Sequence, residues 1–221
     1  ADRRLPWLGS LPEAWPVTTV GTQFEVLLGK MLNEERAHGK HLRPYLRNTN
    51  VQWNKIDLSD LKLMDFPPGD EARYSVRCGD LLICEGGQPG RAAIYFGAHD
   101  GRVVFYQKAL HRARSRGNSE PGWLLACLRA AVDMNVFAVA AGQTTIGHLT
   151  SEQLRAQRFP FPPPAVQRER WANLKYVIGQ THELVHGLRR QIELTEERKR
   201  SLITAAVTGE FDVFTASSRA S

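Results

Sequence analysis

From Trp171 to Ala206, apolar or small residues recur at alternating steps of three and four, and no other feature constrains the chain as tightly. The row reads Trp171, Leu174, Ile178, Thr181, Val185, Leu188, Ile192, Thr195, Lys199, Leu202 and Ala206, and only Lys199 in it is charged. Such spacing keeps one stripe of a helix against a partner helix, which makes it a coiled-coil seam. Trp171, Ile178, Val185 and Ile192 share one seam position, and Leu174, Leu188 and Leu202 share the other. β-Branched residues at the first and leucine at the second favour two-stranded association. Thr181, Thr195 and Lys199 weaken the seam, and Gly179 and Gly187 each cost about 1 kcal/mol relative to alanine. The helix therefore needs a partner, from a second copy or from another part of the same polypeptide. It spans roughly 54 Å at about 1.5 Å per residue and stops at Thr208-Gly209, a glycine helix end. Its outer face, with Arg168, Glu169, Lys175, Glu183, Arg189 and Glu197 among its charges, is either a solvated surface or a docking surface. A rigid rod attached to a compact domain is a spacing device.

The rod begins after a proline-rich hinge, Phe159-Pro160-Phe161-Pro162-Pro163-Pro164. That boundary divides the chain into a globular domain at 1–164, a long pairing helix at 165–209 and a tail at 210–221. The globular part mixes strands and helices, so the expected class is α+β: a mixed α/β domain followed by a long coiled-coil helix. Residues 1–16 form an irregular lead-in that packs through Trp7 and Trp15. Residues 17–28 form a strand or a short helix, and a short strand at 45–52 runs into a polar loop. A helical turn starts in 57–63. Arg77-Cys78-Gly79-Asp80 is a turn, Leu81–Cys84 a strand, Glu85–Arg91 a glycine-rich loop and Ala92–Phe96 the return strand. A further strand lies at 103–107. Leu124, Leu125, Leu128, Ala131 and Val132 share one face of a helix over 123–135, and a short helix or turn lies in 151–158.

The 221 residues carry a formal net charge of +6. A basic balance favours a polyanionic partner such as nucleic acid or an anionic membrane surface. The three cysteines, Cys78, Cys84 and Cys127, are an odd number with no pairing pattern, so they read as buried free thiols in a reducing cytoplasm. No run of about 18 apolar residues is present, which excludes a transmembrane helix.

No catalytic constellation is visible. A phosphate-cradling loop followed by Lys-Ser or Lys-Thr is missing, as is a Gly-x-Ser-x-Gly elbow. Phe161-Pro162-Pro163-Pro164 lacks the polar residue with which a DNA methyltransferase would hold a target amine. Asp65, Asp70, Glu71, Asp80 and Glu85 have no lysine at nuclease spacing, and the seven histidines are scattered, so no metal site is expected. What remains is binding. Lys108, His111, Arg112, Arg114 and Arg116 form a cationic run that reads as a solvated basic loop or as a set of phosphate contacts, and Lys30 is counted with them. Arg47, Asn48, Asn50, Gln52 and Trp53 place hydrogen-bonding side chains beside an aromatic ring. Arginine suits guanine, and asparagine or glutamine suits adenine, in the major groove. Gln88 and Arg91 flank the glycine loop, and Gln143, Thr144, Thr145 and His148 line another.

Four segments resemble the specificity subunit of a type I restriction–modification enzyme. They are Trp7 to Trp15, Gly79 to Arg91, Phe159 to Glu169 and Leu202 to Val213, in the family's order and covering nearly the whole chain. One departure is Ala165-Val166-Gln167, where the family usually has an acidic residue before the glutamine. The resemblance implies one half of such a subunit: a target recognition domain plus one spacer helix, reading one half of a bipartite site in double-stranded DNA. It implies antiparallel helix pairing with a second half, either a second copy in a homodimer or another part of a longer polypeptide. It also implies docking of methyltransferase subunits that bind S-adenosylmethionine, a further restriction subunit, and a prokaryotic cytoplasmic setting. The chain itself would hold no cofactor and catalyse nothing. The competing expectations are a stand-alone DNA-modifying or DNA-cleaving enzyme, and a coiled-coil adaptor without DNA contact.

Overall fold

The computed structural model describes residues 5–31, 39–117, 119–140 and 147–210. In chain order the elements begin with β1 (Val17–Thr19), α1 (Val20–Gln23), β2 (Phe24–Leu28), β3 (Leu42–Leu46), β4 (Val51–Gln52), β5 (Lys55–Ile56) and β6 (Lys62–Asp65). They continue with α2 (Glu71–Tyr74), β7 (Ser75–Val76), β8 (Leu81–Cys84), β9 (Ala92–Ile94), β10 (Val104–Tyr106) and β11 (Leu110–Ser115). The last are α3 (Pro121–Asp133), α4 (Val136–Ala140), α5 (Ser151–Ala156), β12 (Arg158–Pro160) and α6 (Pro164–Val207). The class is α+β, and the chain forms two compact units, one up to Trp171 and one from Ala172 on.

In the first unit two four-stranded sheets share a core. One has the order β2-β11-β8-β9, all antiparallel, and the other the order β6-β3-β10-β7, with β3 and β10 parallel. Strand β8 shows why its sequence is an unbroken apolar run. Leu81 and Ile83 pack with Phe24, Leu124 and Leu128 on one face, while Leu82 and Cys84 pack with Leu46, Val104 and Tyr106 on the other. A strand buried on both faces has no polar side to alternate with.

Several expectations change here. The segment 57–63 holds no helical turn, because the Asp57 carboxylate accepts from both the backbone N–H and the hydroxyl of Ser59. Such a local turn competes with helix, and the chain then enters β6. Only part of the cationic run is loop: His111, Arg112 and Arg114 lie on the strand β11, which pairs with β2 and β8, while Lys108 and Arg116 flank it. The proline segment is an anchor more than a hinge. Phe159 pairs across β1 with Thr18, and the Phe161 N–H donates to Pro16. Trp123 Nε1 donates to the Pro160 carbonyl at 2.7 Å. Gln167, only 2% exposed, accepts from the Glu120 N–H and donates to the Pro162 carbonyl. The lead-in packs through its tryptophans as expected, Trp7 edge-on to Phe159 and Trp15 edge-on to Trp123. Cys84 and Cys127 are buried free thiols, whereas Cys78 is exposed.

α6 has 44 residues, about 66 Å at about 1.5 Å per residue. It starts seven residues before the seam, and Gly209 follows its last turn at φ +76°, a conformation glycine adopts without a Cβ penalty. Trp171, placed in the pairing row by periodicity, instead packs within the first unit. Its indole lies where a side chain on Gly122 of α3 would be, 2.2 Å from the Cβ position, so only glycine admits it. In the second unit the rest of the row is a solvent-facing stripe: Leu174, Val185, Leu188, Ile192 and Leu202 are exposed and Ile178 is half-buried. Val177 and Leu184, also exposed, widen it.

Candidate nucleic-acid interface

The ends of β3, β8 and β10 converge, and the loops leaving them lie together. The Gln107 N–H donates to Leu46, the Glu85 N–H to Ala109, and the Leu149 N–H to Glu85. A bridge joins Gly86 to His148. Segments 47–53, 85–91, 107–109 and 147–149 therefore occupy one end of the sheets.

Within the first segment, Asn50 is buried and builds the loop. Its Oδ1 accepts from the Arg47 N–H, and its Nδ2 donates to the carbonyls of Asp57 and Asp60. Arg47 is half-buried and paired with the Asp60 carboxylate at 2.6 Å. Asn48 is half-buried, and Gln52 is exposed with its amide donating to Thr49. Trp53 sits in the turn between β4 and β5, and the Arg129 guanidinium lies 4.8 Å from its ring centroid. Arg129 is itself held by Asp133 one helical turn on. That i,i+4 pair on α3 is a visible sequence signal, but nothing in it names Trp53 as the target.

The glycine loop closes on itself through Gly90 N–H to Cys84 and Arg91 N–H to Gln88. Gly90 has φ +88°, and a Cβ there would lie 2.7 Å from Val132, so the loop follows this path only with glycine. Exposed Gln88 and half-buried Arg91 stand at its rim. They border a cleft of about 480 Å³ lined also by Trp53, Val132, Asn135 and Phe137. The last three, on or beside helices α3 and α4, were not legible as site residues.

The basic residues are divided. Lys108 is exposed at the converging end, while Arg116 is exposed beyond the far end of β11 and donates to Gly21. About 20 Å of strand separates them, at about 3.3 Å per residue. Between them the charges are internal. Arg112 is 1% exposed, paired with Glu25 at 2.9 Å and donating to the carbonyls of Arg73 and Ser75. Arg114 makes two bonds of 2.7 Å to the buried Asp80 carboxylate. Lys30 is buried, bonded to Asp70 and to the Asp65 carbonyl, with the Phe66 ring 5.0 Å away. These groups hold the fold, and Lys30, His111 and Arg112 have no surface to offer a phosphate. His148 is exposed beside Gly86. Gln143, Thr144 and Thr145 lie outside the described residues. Among the described residues no cluster of histidine, cysteine, aspartate or glutamate is fit to hold a metal ion, and no helix is long and apolar enough to cross a membrane.

His111 is fully buried, its Nε2–H donating to the Leu149 carbonyl at 2.7 Å and its Nδ1 accepting from Ser151. Burial pulls its pKa below the ordinary 6.5, against the opposing effects of the Leu149 carbonyl and Glu85. The unfolded chain then takes up the proton at a higher pH than the folded one. Stability from this group is complete above about pH 6.5 and is lost as pH falls below it. We expect the melting temperature to drop as pH falls below about 6.5, and His111→Gln to flatten that slope. An unchanged slope in the variant would assign it to other groups.

Residues 12–194 match the family model for the type I restriction modification DNA specificity domain. The chain belongs to that family. Type I specificity domains are the DNA-addressing part of their systems and carry no catalysis of their own. This chain is similar in fold to the HsdS subunit from Thermoanaerobacter tengcongensis, at 18% identity and TM-score 0.60, over 81% of this chain and 41% of that one. It is similar also to a chain from a structure describing complex assembly and conformational transition of the type I R-M system. There the identity is 20% and the TM-score 0.61, over 87% of this chain and 44% of that one. The specificity domain described here thus spans less than half the length of either. No curated protein matches the sequence.

Proposed function

We propose that this specificity domain reads one half of a bipartite double-stranded DNA target and that its helix sets the distance to the other half. The recognition part is 1–164 and the spacer 165–209. What carries the reading is the gathering of Asn48, Gln52, Gln88, Arg91, Lys108 and His148 at one end of the sheets in a chain of net charge +6. Exposed amides and a cation are the groups that contact base edges and phosphates. The exposed stripe on α6 is the pairing face for a second, antiparallel helix, from a second copy or a second half. Its outer face docks methyltransferase subunits, which bind S-adenosylmethionine and modify adenine, and a restriction subunit joins them. The setting is the prokaryotic cytoplasm.

The test is DNA binding by the chain assembled with its methyltransferase subunits. Log affinity should fall linearly with log salt. Lys108→Ala should weaken binding to all sequences alike and reduce the salt slope by about 1, whereas Gln52→Ala should change which sequence is preferred. A footprint of the complex that leaves this chain off the DNA would favour an adaptor instead.

A further inference from the structure

Asn48 is fixed through its main chain, and its side chain is left uncommitted. Its carbonyl accepts from Arg91 Nη2 at 2.9 Å, with the Cys84 thiol 3.8 Å away. The adjoining main chain is tied as well, the Arg47 N–H to Asn50 Oδ1 and the Asn50 N–H to the Arg47 carbonyl. The Asn48 amide lies 3.3 Å from where a Cβ on Gly87 would sit, so it rests on the glycine loop at a point that carries no side chain.

The other amides of these two loops are already engaged within the chain. Asn50 uses both ends of its amide inside its own turn, Gln52 donates to Thr49, and Gln88 accepts from Arg91. The Asn48 amide makes no hydrogen bond to any described residue, and it is half-buried without being sealed from solvent. An amide held in place by the backbone around it, with donor and acceptor both free, needs little ordering to meet a ligand. It presents the two groups side by side. In the major groove only adenine offers the complement on a single base, an acceptor at N7 beside a donor at N6, whereas guanine offers two acceptors.

Resting on the recognition reading above, we infer that Asn48 reads an adenine of the half-site through a bidentate contact to N6 and N7. Arg91 is the positioning residue that holds it there by its carbonyl.

The experiment maps methylated sites on a random-sequence duplex library, using the full chain assembled with its methyltransferase subunits, for wild type, Asn48→Ala, Asn48→Asp and Arg91→Met. In the wild type, one half-site position besides the methylated base should hold adenine. Asn48→Ala should relax that position alone, by about tenfold or more. Asn48→Asp keeps the acceptor and loses the donor, so preference there should move toward cytosine, which donates through N4. Arg91→Met unties the carbonyl and should relax the same position. A purely structural role for Arg91 would lower methylation at every site without altering the pattern, which would overturn the positioning role. An unchanged map in both Asn48 variants, or a loss spread evenly over all sequences, would overturn the assignment of Asn48. So would a wild-type base other than adenine at the position they alter. Should Arg91→Met fail to fold, as a thermal melt would show, the two Asn48 maps still decide. Absence of site-specific methylation by the wild-type assembly would instead overturn the recognition reading itself.

Discussion

Arg112→Ala is expected to destabilise the globular unit by about 3–5 kcal/mol, through the cavity left by a large side chain and through backbone carbonyls that lose their donor. Arg112 is among the largest fully buried side chains in the chain, its guanidinium bonded to the carbonyls of Arg73 and Ser75 and 5.8 Å from the Tyr106 ring centroid. Its ion-pair partner Glu25 is 44% exposed, so water can solvate that carboxylate once the arginine is gone, and its loss adds little. Arg112→Met keeps most of the volume and should cost less, about 1–3 kcal/mol, from the carbonyls. Urea unfolding of the three chains measures both. A stability change below about 0.5 kcal/mol for Arg112→Ala, together with weaker DNA binding, would return this residue to the phosphate-contacting set to which its position in a cationic run assigns it.

Leu188→Asp combined with Ile192→Asp is expected to weaken pairing of the long helix by about 100-fold or more. The two side chains are 50% and 59% exposed in the single chain, so the substitutions leave the globular unit intact and alter only what the stripe can bind. In a two-helix seam each carboxylate would be taken from water without a partner, and a combined penalty of about 3 kcal/mol corresponds to about two orders of magnitude in affinity. The replacement of two good helix formers by aspartate adds a smaller cost along the same helix. Sedimentation of the full chain over a concentration series, wild type against variant, reads the effect. Equal dissociation constants would show that this stripe is not the pairing face.

Both experiments bear on how much the residues announce before the chain is folded. The apolar stripe was legible because a helix repeats its faces every few residues, so a pattern along the chain is already a pattern in space. The glycine end at Gly209 was legible for the same local reason, and so was β8, whose four apolar residues admit few alternatives. The proline segment misled because prolines break elements locally, while the pairing of β12 with β1 and the bond from Glu120 to Gln167 depend on residues far away in the chain. Trp171 kept the seam's period but found Gly122, about fifty positions earlier in the chain.

The candidate site was legible only in part. Residue type identified Gln88, Arg91, Asn48 and Gln52 as able to read bases, and the structure brings their loops together. Type alone made no distinction between Lys108, exposed at the converging end, and Arg112, four residues on in β11, whose charge is satisfied inside the sheets. Burial of a charged side chain depends on whether the fold supplies a carboxylate and carbonyls within hydrogen-bond reach, and those come from Glu25, Arg73 and Ser75 on other elements. Asn50 divides from Gln52 on the same ground, one amide building the loop and the other exposed on it.

By itself the sequence determined the rod, its apolar stripe, the α+β character of the part before it and the family to which the chain belongs, because each of these is written in local periodicity or in short motifs. Only the tertiary structure decided which cations and amides face outward and which bonds hold Asn48 in place. Those properties belong to contacts between segments distant in the chain, and a hydrogen bond such as that from Arg91 to the Asn48 carbonyl has no local pattern to announce it.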